Sequence, residues 1–159
     1  MSLVPSLPLV GGCQCGACRY AVSATPLTLY VCHCTECQRQ SGSAFGMSMP
    51  VPRAGFAFTA GTPAVWRRTA ASGRAVDCAA CATCGTRLAH FPTRNAAVVN
   101  VKPGTLDDTT WLQPVGHLWT RSARPWVTIP DGVLSYEGQP PDFDGLYAAW
   151  TPRMSRASV

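Results

Sequence analysis

Nine cysteines in a chain of 159 residues fall into three short clusters. The clusters read Cys13-x-Cys15-x-x-Cys18, Cys32-x-Cys34-x-x-Cys37 and Cys78-x-x-Cys81-x-x-Cys84. Disulfide frameworks usually spread their cysteines so that each bridge closes a long loop, whereas these spacings direct several thiolates to one point. An odd number of cysteines would also leave one thiol unpaired. The pattern therefore favours metal binding over disulfides.

The remaining composition indicates an intracellular metalloprotein. No run of eighteen apolar residues is present, so no membrane-spanning helix and no membrane partner are expected. The first ten residues hold two prolines and neither lysine nor arginine, which is not typical of a secretory signal. Clustered cysteines fit a reducing compartment, and we expect a cytoplasmic location. The oligomeric state stays open, with a homodimer as one option.

The charge distribution argues against a nucleic-acid partner. The formal net charge is +5, but thiolates bound to metal would lower it. Among the basic residues only Arg67 and Arg68 are adjacent, and no basic stripe with interleaved aromatic residues is present. A mildly basic surface fits an anionic small molecule at least as well.

The segments between the clusters predict a mainly-β fold built of short antiparallel strands. Fourteen glycines and fourteen prolines separate short apolar runs, which is typical of turns between strands. We predict strands over residues 19–24, 27–32, 43–51, 56–58, 64–68, 75–79, 87–91, 96–101, 115–119 and 133–136. Single helical turns are expected over 36–41 and 105–109. Residues 1–9 are predicted to be a loose leader, 10–150 one zinc-binding domain and 151–159 a frayed tail.

The spacing suggests which cysteines share a metal but leaves two pairings open. Residues i and i+2 of an extended strand point to the same face, so Cys13 can act with Cys15. Cys81-x-x-Cys84-Gly85 resembles a zinc knuckle that needs two further thiolates. These come either from Cys13 and Cys15 or, as in a zinc ribbon, from Cys15 and Cys18. Spacing alone slightly favours the ribbon.

The second cluster predicts a different kind of site. Cys32, Cys34 and Cys37 offer three thiolates, and an open fourth position is typical of catalytic rather than structural zinc. His33 points away from its neighbours' metal if the segment is extended, so we expect it to be a packing residue. The alternative is a closed site, with a fourth ligand that is one of four residues: His90, His117, Cys18 and Cys78. A thiolate-rich zinc suits a substrate thiol, which favours addition of a thiol to an aldehyde or the reverse reaction.

Three stretches of the chain resemble one known family. They are Gly12-Cys13-x-Cys15-Gly16, Cys32-His33-Cys34-x-x-Cys37-Gln38-Arg39-x-Ser41-Gly42 and Cys81-x-x-Cys84-Gly85-Thr86. Together they resemble the glutathione-dependent formaldehyde-activating family, which also contains centromere protein V. The resemblance continues through His117-Leu118-Trp119 and Ser122-Ala123-Arg124-Pro125-Trp126.

The resemblance implies a β-tent fold with two zinc ions per chain. It implies a structural zinc on Cys13, Cys15, Cys81 and Cys84, and a catalytic zinc on Cys32, Cys34 and Cys37. It thereby decides against the ribbon pairing. The implied activity is that of a carbon–sulfur lyase, with glutathione or a similar thiol and an aldehyde such as formaldehyde as substrates.

Three residues that follow the second cluster are candidate substrate contacts. Arg39 could pair with a carboxylate of glutathione, because a guanidinium suits planar anions. Ser41 and Phe45 could form a wall of the pocket. The alternative function is a non-catalytic, zinc-stabilised interaction module, whose expected marks are a damaged second site or an appended charged tail. All three thiolates are present here, which favours the enzyme.

Overall fold

Short strands dominate the computed structural model of the chain, which describes residues 4–70 and 72–155. Within these residues there are eleven strands: β1 (Leu9–Gly12), β2 (Arg19–Val22), β3 (Tyr30–Cys32), β4 (Gly46–Pro52), β5 (Phe56–Ala60), β6 (Ala64–Thr69), β7 (Ala75–Ala80), β8 (Arg87–Pro92), β9 (Val98–Val101), β10 (Gly116–Leu118) and β11 (Leu134–Tyr136). Two α-helices accompany them, α1 (Thr35–Ser41) and α2 (Asp144–Ser155). The prediction of a mainly-β fold is confirmed, and every predicted strand overlaps an observed one.

The strands form two sheets. A three-stranded sheet has the order β1-β2-β5, and an eight-stranded sheet has the order β11-β10-β3-β4-β9-β8-β7-β6. Most neighbours are antiparallel as expected, but β10 runs parallel to both β3 and β11. The two parallel pairings at this end of the larger sheet depart from the otherwise antiparallel arrangement that was predicted. Long connections precede and follow β10, and such connections permit parallel pairing.

Strand β4 tolerates two prolines because each half of the strand pairs with only one neighbouring strand. Residues 46–48 pair with β3, whereas Met49–Pro52 pair with β9. Pro50 pairs with Asn100, and its carbonyl accepts from Leu27 N–H on the opposite side. Proline is found in sheets where no ladder hydrogen bond needs its missing N–H. The half-paired strand meets that condition.

One hydrophobic core joins the two sheets and α2. Tyr20 and Val22 of the small sheet pack with Met49 and Val99 of the large one, and all four are almost fully buried. Burial of such side chains is the main stabilising term of a fold of this size. The core thus holds the sheets in the relative position that the cysteine sites require.

Helix α2 was not predicted, and its position corrects the predicted boundary at residue 150. The helix runs from Asp144 to Ser155 and so crosses that boundary, while residues 156–159 of the predicted tail lie outside the described part. Leu146 and Trp150 are the buried apolar residues of this helix. Two such residues are too few to produce a periodic hydrophobic pattern in the sequence. Trp150 Nε1 donates to Pro26 O at 3.0 Å and anchors the helix.

The other end of the chain needs a similar correction. Val4 is buried and Leu9 begins β1, so this part of the predicted leader packs against the domain, while residues 1–3 lie outside the described part. The predicted turn at 36–41 is present as α1, but the one at 105–109 is a 3₁₀ turn over Pro103–Thr105. Among the described residues, no helix is long and apolar enough to cross a membrane.

Candidate metal centres

Four cysteines from two distant loops converge between the two sheets. Cys13 and Cys15 lie between β1 and β2, and Cys81 and Cys84 lie in the turn between β7 and β8. Their four Sγ atoms all lie within 4.8 Å of one another. Four thiolates at this separation could hold one metal ion and are compatible with tetrahedral zinc. We call this group the four-cysteine centre.

Local backbone geometry brings these thiols together. Gly85 has φ +75°, a left-handed conformation that suits glycine, and its N–H donates to Cys81 O at 2.9 Å to close the turn. Thr86 Oγ1 lies 3.1 Å from Cys84 Sγ, and this hydroxyl is the main reason that the pKa of Cys84 is lowered to about 5. The turn thus favours the thiolate form that binds metal.

The structure groups Cys13 rather than Cys18 with the knuckle. Cys18 is buried beside the centre, and its backbone N–H donates to Cys13 Sγ at 3.1 Å. The ribbon pairing that spacing slightly favoured is therefore not the one observed. Cys13 and Cys15 also lie in a turn and not in an extended strand, and Gly16 N–H closes that turn on Cys13 O. A turn brings the two thiols together as well as a strand would.

A second group forms where β3 leads into α1. Cys32 is the last residue of β3, Cys34 is the N-cap of α1 and Cys37 lies in its first turn. Cys34 Sγ accepts the Cys37 N–H at 3.3 Å, so the thiol caps the helix as a serine oxygen would. The three Sγ atoms lie within 4.8 Å of one another. We call this group the three-cysteine centre.

The crowded thiols of this centre have the electrostatics expected of a metal site. Hydrogen bonds from the Cys32 thiol and then from Cys37 lower the pKa of Cys34 to about 2. The same contacts raise the pKa of Cys32. Only one of three adjacent thiols can ionise easily unless a cation compensates the others. The donor set therefore fits a soft divalent metal ion.

The three-cysteine centre has no fourth protein ligand among residues 4–70 and 72–155. None of the four residues considered as closing ligands belongs to the group, namely His90, His117, Cys18 and Cys78. His117 Nδ1 instead lies 2.8 Å from His33 Nε2, and the two buried rings stack. The interpretation of His33 as a packing residue agrees with this geometry. The group thus offers three thiols, and a tetrahedral metal ion held by them would keep one position for another ligand.

The three-cysteine centre borders a large cleft. The cleft has a volume of about 770 Å³, and all three cysteines of the centre line it. Its lining includes four aromatic residues, namely Tyr30, Trp119, Phe143 and Tyr147. It also includes three arginines, Arg68, Arg74 and Arg94, which we call together the cationic wall. Arg68 is paired with Glu36 at 3.2 Å. Within the described chain, no carboxylate forms an ion pair with Arg74 or Arg94.

Comparison with known families decides what kind of protein carries these centres. The sequence model described as glutathione-dependent formaldehyde-activating enzyme matches residues 8–122. This span covers more than half of the chain and includes all seven cysteines of the two centres. The chain belongs to this family.

A solved structure supports the fold of this member of the glutathione-dependent formaldehyde-activating family. A crystal structure of a Rhodobacter sphaeroides protein superposes with a TM-score of 0.52 over 80% of this chain and 99% of that one. The two sequences are 16% identical, so the likeness concerns the fold alone. The superposition covers nearly the whole length of the Rhodobacter sphaeroides protein, which indicates a shared architecture.

The predicted substrate residues do not lie in the cleft of this family member. Arg39 is exposed in the last turn of α1. Ser41 Oγ donates to Cys37 O at 2.7 Å and so stabilises the helix end, while the Phe45 ring packs edge-on against His33. Neither these two nor Arg39 lines the cleft. The first turn of α1 lines the cleft, whereas the rest of the helix leads away from it. The sequence motif alone does not show which residues of the helix line the cleft.

The residues that do line the cleft come from distant parts of the sequence. Arg68 and Arg74 belong to the β6–β7 hairpin and Arg94 follows β8. Gln38 is a further missed residue, since its buried Nε2 donates to His33 O at 2.7 Å and to Ser122 O at 2.9 Å. Gln38 fixes the cysteine loop against the segment after β10. Its position directly after Cys37 was the one feature of the sequence that could have indicated this role.

Proposed function

We propose that this chain is a zinc-dependent enzyme of the carbon–sulfur lyase type, which adds a thiol to an aldehyde carbon or removes it. Glutathione and formaldehyde are the substrates that the family description implies. One observation carries the proposal: three thiols within 4.8 Å of one another, without a fourth protein ligand in the described residues, line a cleft of about 770 Å³. Closed zinc sites use four protein ligands, whereas an open one leaves room for substrate.

The two centres would have different roles. Cys13, Cys15, Cys81 and Cys84 would hold a structural zinc, while Cys32, Cys34 and Cys37 would hold the catalytic one. A zinc ion bound by three thiolates supplies a soft Lewis acid, at which a substrate thiol is favoured as its thiolate near neutral pH. All nine cysteines are free thiols in the structure, which supports a reducing compartment such as the cytoplasm.

The reaction balances without an oxidant or a reductant. The substrate sulfur forms a bond to the aldehyde carbon, the carbonyl π pair moves to the oxygen, and that oxygen takes up one proton. The thiol loses one proton, so none is consumed overall. Tyr30 and Ser122 belong to the cleft lining, and a hydroxyl group there could donate to the developing alkoxide. Burial raises the pKa of Tyr30, so its hydroxyl stays protonated.

The cationic wall suits an anionic thiol. Arg74 and Arg94 have no ion-pair partner in the described residues and line the cleft that the three thiols also line. Glutathione carries two carboxylates at a distance from its sulfur, and charge-assisted bonds to them contribute roughly 1.5–3 kcal/mol each. The aromatic side chains of Trp119 and Phe143 reduce access of water to the reacting atoms.

Cobalt substitution tests the open thiol site. In the cobalt-loaded protein, addition of glutathione should change the thiolate-to-cobalt absorption, because a fourth thiolate completes the tetrahedron. Cys34→Ser should abolish the response. Cys78→Ser is the matched control, since Cys78 belongs to neither centre, and it should keep the response.

Activity is measured in parallel as the rate of exchange between formaldehyde, glutathione and their adduct, followed by NMR. Wild-type protein should accelerate the exchange, and Cys34→Ser should not. An unchanged spectrum at millimolar glutathione, together with an unaccelerated exchange, would contradict the enzyme and leave a non-catalytic zinc-stabilised module.

A further inference from the structure

Lys102 is the sole lysine of the chain, and it is buried directly after β9. Its Nζ donates one hydrogen bond within the described residues, to Ser48 Oγ at 3.3 Å. None of the ion pairs among those residues includes it. An ammonium group removed from water is costly unless an opposite charge lies nearby. An opposite charge close to Lys102 is therefore expected.

The register of β4 places Lys102 on the same side of this strand as Cys37 of the three-cysteine centre. Gly46 of β4 is paired with Cys32, and a Cβ added to Gly46 would lie 3.5 Å from Cys37 Cβ and 3.9 Å from Cys37 Sγ. Ser48 lies two residues further along β4, so its side chain points to the same face as that Cβ. Two residues of a strand span about 7 Å. The Lys102 ammonium, bonded to Ser48, thus shares the face of β4 that Cys37 contacts.

The other neighbours of Lys102 do not neutralise it. Arg87 adds a second positive charge, and every carboxylate that forms an ion pair within the described residues pairs with an arginine. Burial lowers the pKa of Lys102 to about 8, and the Cys37 thiol is the strongest influence in the opposite direction. Cys78 also lies near, but burial raises the pKa of its thiol and keeps it neutral.

We propose that Lys102 is the buried counter-charge of the three-cysteine metal centre. Three thiolates and one divalent cation carry a net charge of −1, which one ammonium balances. Lys102 is not a ligand: it acts through Ser48 and Cys37 and raises the affinity of the centre for metal. The inference rests on metal binding by Cys32, Cys34 and Cys37, as proposed above. It adds a residue that sets how firmly the metal is held.

Competition for zinc tests the effect on affinity. The zinc-loaded full chain is titrated with a chromophoric chelator, which separates the two ions by lability. Lys102→Met should weaken the more labile zinc roughly tenfold to a hundredfold, as expected for unit charges about 7 Å apart at an effective dielectric constant of ~20. The four-cysteine zinc should not change. Lys102→Arg should stay within about threefold of wild type. Arg153→Met should equal wild type, because Arg153 lies on α2, bonds to Gln113 and belongs to neither centre.

Thermal unfolding before and after removal of the labile zinc separates a counter-charge from ordinary packing. A packing role would destabilise both forms of Lys102→Met equally. A counter-charge predicts a lower melting temperature for the loaded variant and an unchanged or higher one for the variant without the labile zinc, since an uncompensated charge is then gone. Lys102→Gln serves for the same measurements should the methionine variant fail to fold.

The possible failures are distinguishable. Wild-type affinity in Lys102→Met, or equal loss of stability in both forms, would overturn this inference while leaving the proposed enzyme intact. A wild-type protein that holds no zinc on Cys32, Cys34 and Cys37 would overturn the proposed function and this inference together.

Discussion

At the scale of single residues, His90 is a neutral imidazole held in the protein interior. It is 6% exposed and lies opposite Cys78 on the neighbouring strand, and its Nε2 has no hydrogen-bond partner among the described residues. Desolvation lowers the pKa of His90 to about 2, and the nearby charges of Lys102 and Arg87 act in the same direction. The imidazole is therefore uncharged in the folded state at neutral and mildly acidic pH.

This shift predicts a loss of stability in mild acid. The pKa of an unfolded histidine is about 6.5, so below that pH the unfolded state binds a proton that folded His90 does not bind. The free energy of unfolding should fall by about 1 kcal/mol between pH 6.5 and pH 5.5 from this residue alone. Urea unfolding of wild type and His90→Gln at both pH values measures it. Acid also weakens thiolate–metal bonds, but equally in both proteins, so equal pH slopes would contradict the prediction.

At the scale of elements, the turn after β5 supports the loop of the four-cysteine centre. Gly61 has φ +70°, and a Cβ at this position would overlap the carbonyl oxygen of Ala17. Ala17 lies in the loop that carries Cys13 and Cys15, so the close approach needs a residue without a side chain. The two segments are in contact because β2 and β5 are neighbours in the small sheet.

Gly61→Ala should therefore destabilise the protein by about 3 kcal/mol or more, because backbone strain and overlap add together. Gly73→Ala is the matched control: its φ is +78°, but no atom of the residues that the structure describes lies within 4 Å of the added Cβ. Only strain of about 1 kcal/mol is expected there. Chemical denaturation of the two variants measures the difference. Equal losses would show that the contact with Ala17 does not matter.

The sequence was informative about strands and less so about how they assemble. Ten strands were predicted because apolar runs between turn residues are a local signal. The parallel pairing of β10 depends on connections that carry no such signal, and α2 has few core contacts to create a period. The cysteine groups were predictable because ligand spacing is local, apart from the choice between Cys13 and Cys18. The cationic wall could not be predicted, because only the folded chain brings Arg74 and Arg94 to the cleft that the thiols also line.

At the scale of the whole molecule, the two centres connect the chain in different ways. The four-cysteine centre joins the β1–β2 loop of the small sheet to the β7–β8 turn of the large sheet. The three-cysteine centre lies within six consecutive residues and joins only β3 to α1. A metal that bridges distant segments contributes to folding, whereas one held by a single segment contributes mainly to the site itself.

Loss of one thiolate should therefore act differently at each centre. Cys81→Ser should unfold the domain or destabilise it by at least about 3 kcal/mol, since a metal bound at this centre would hold the sheets together. Cys34→Ser should remain folded and lose its labile zinc. Circular dichroism melting with zinc analysis of both purified variants provides the measurement. Equal destabilisation would mean that both metals are structural.

The distribution of these ligands along the chain also has a consequence for biosynthesis. The last ligand of the three-cysteine centre is residue 37, whereas the four-cysteine centre is incomplete until residue 84 has left the ribosome. A nascent chain therefore presents a complete set of three thiols well before either sheet can close. The first zinc captured during translation should occupy the three-cysteine centre, and the second should arrive with the folding step that joins the sheets.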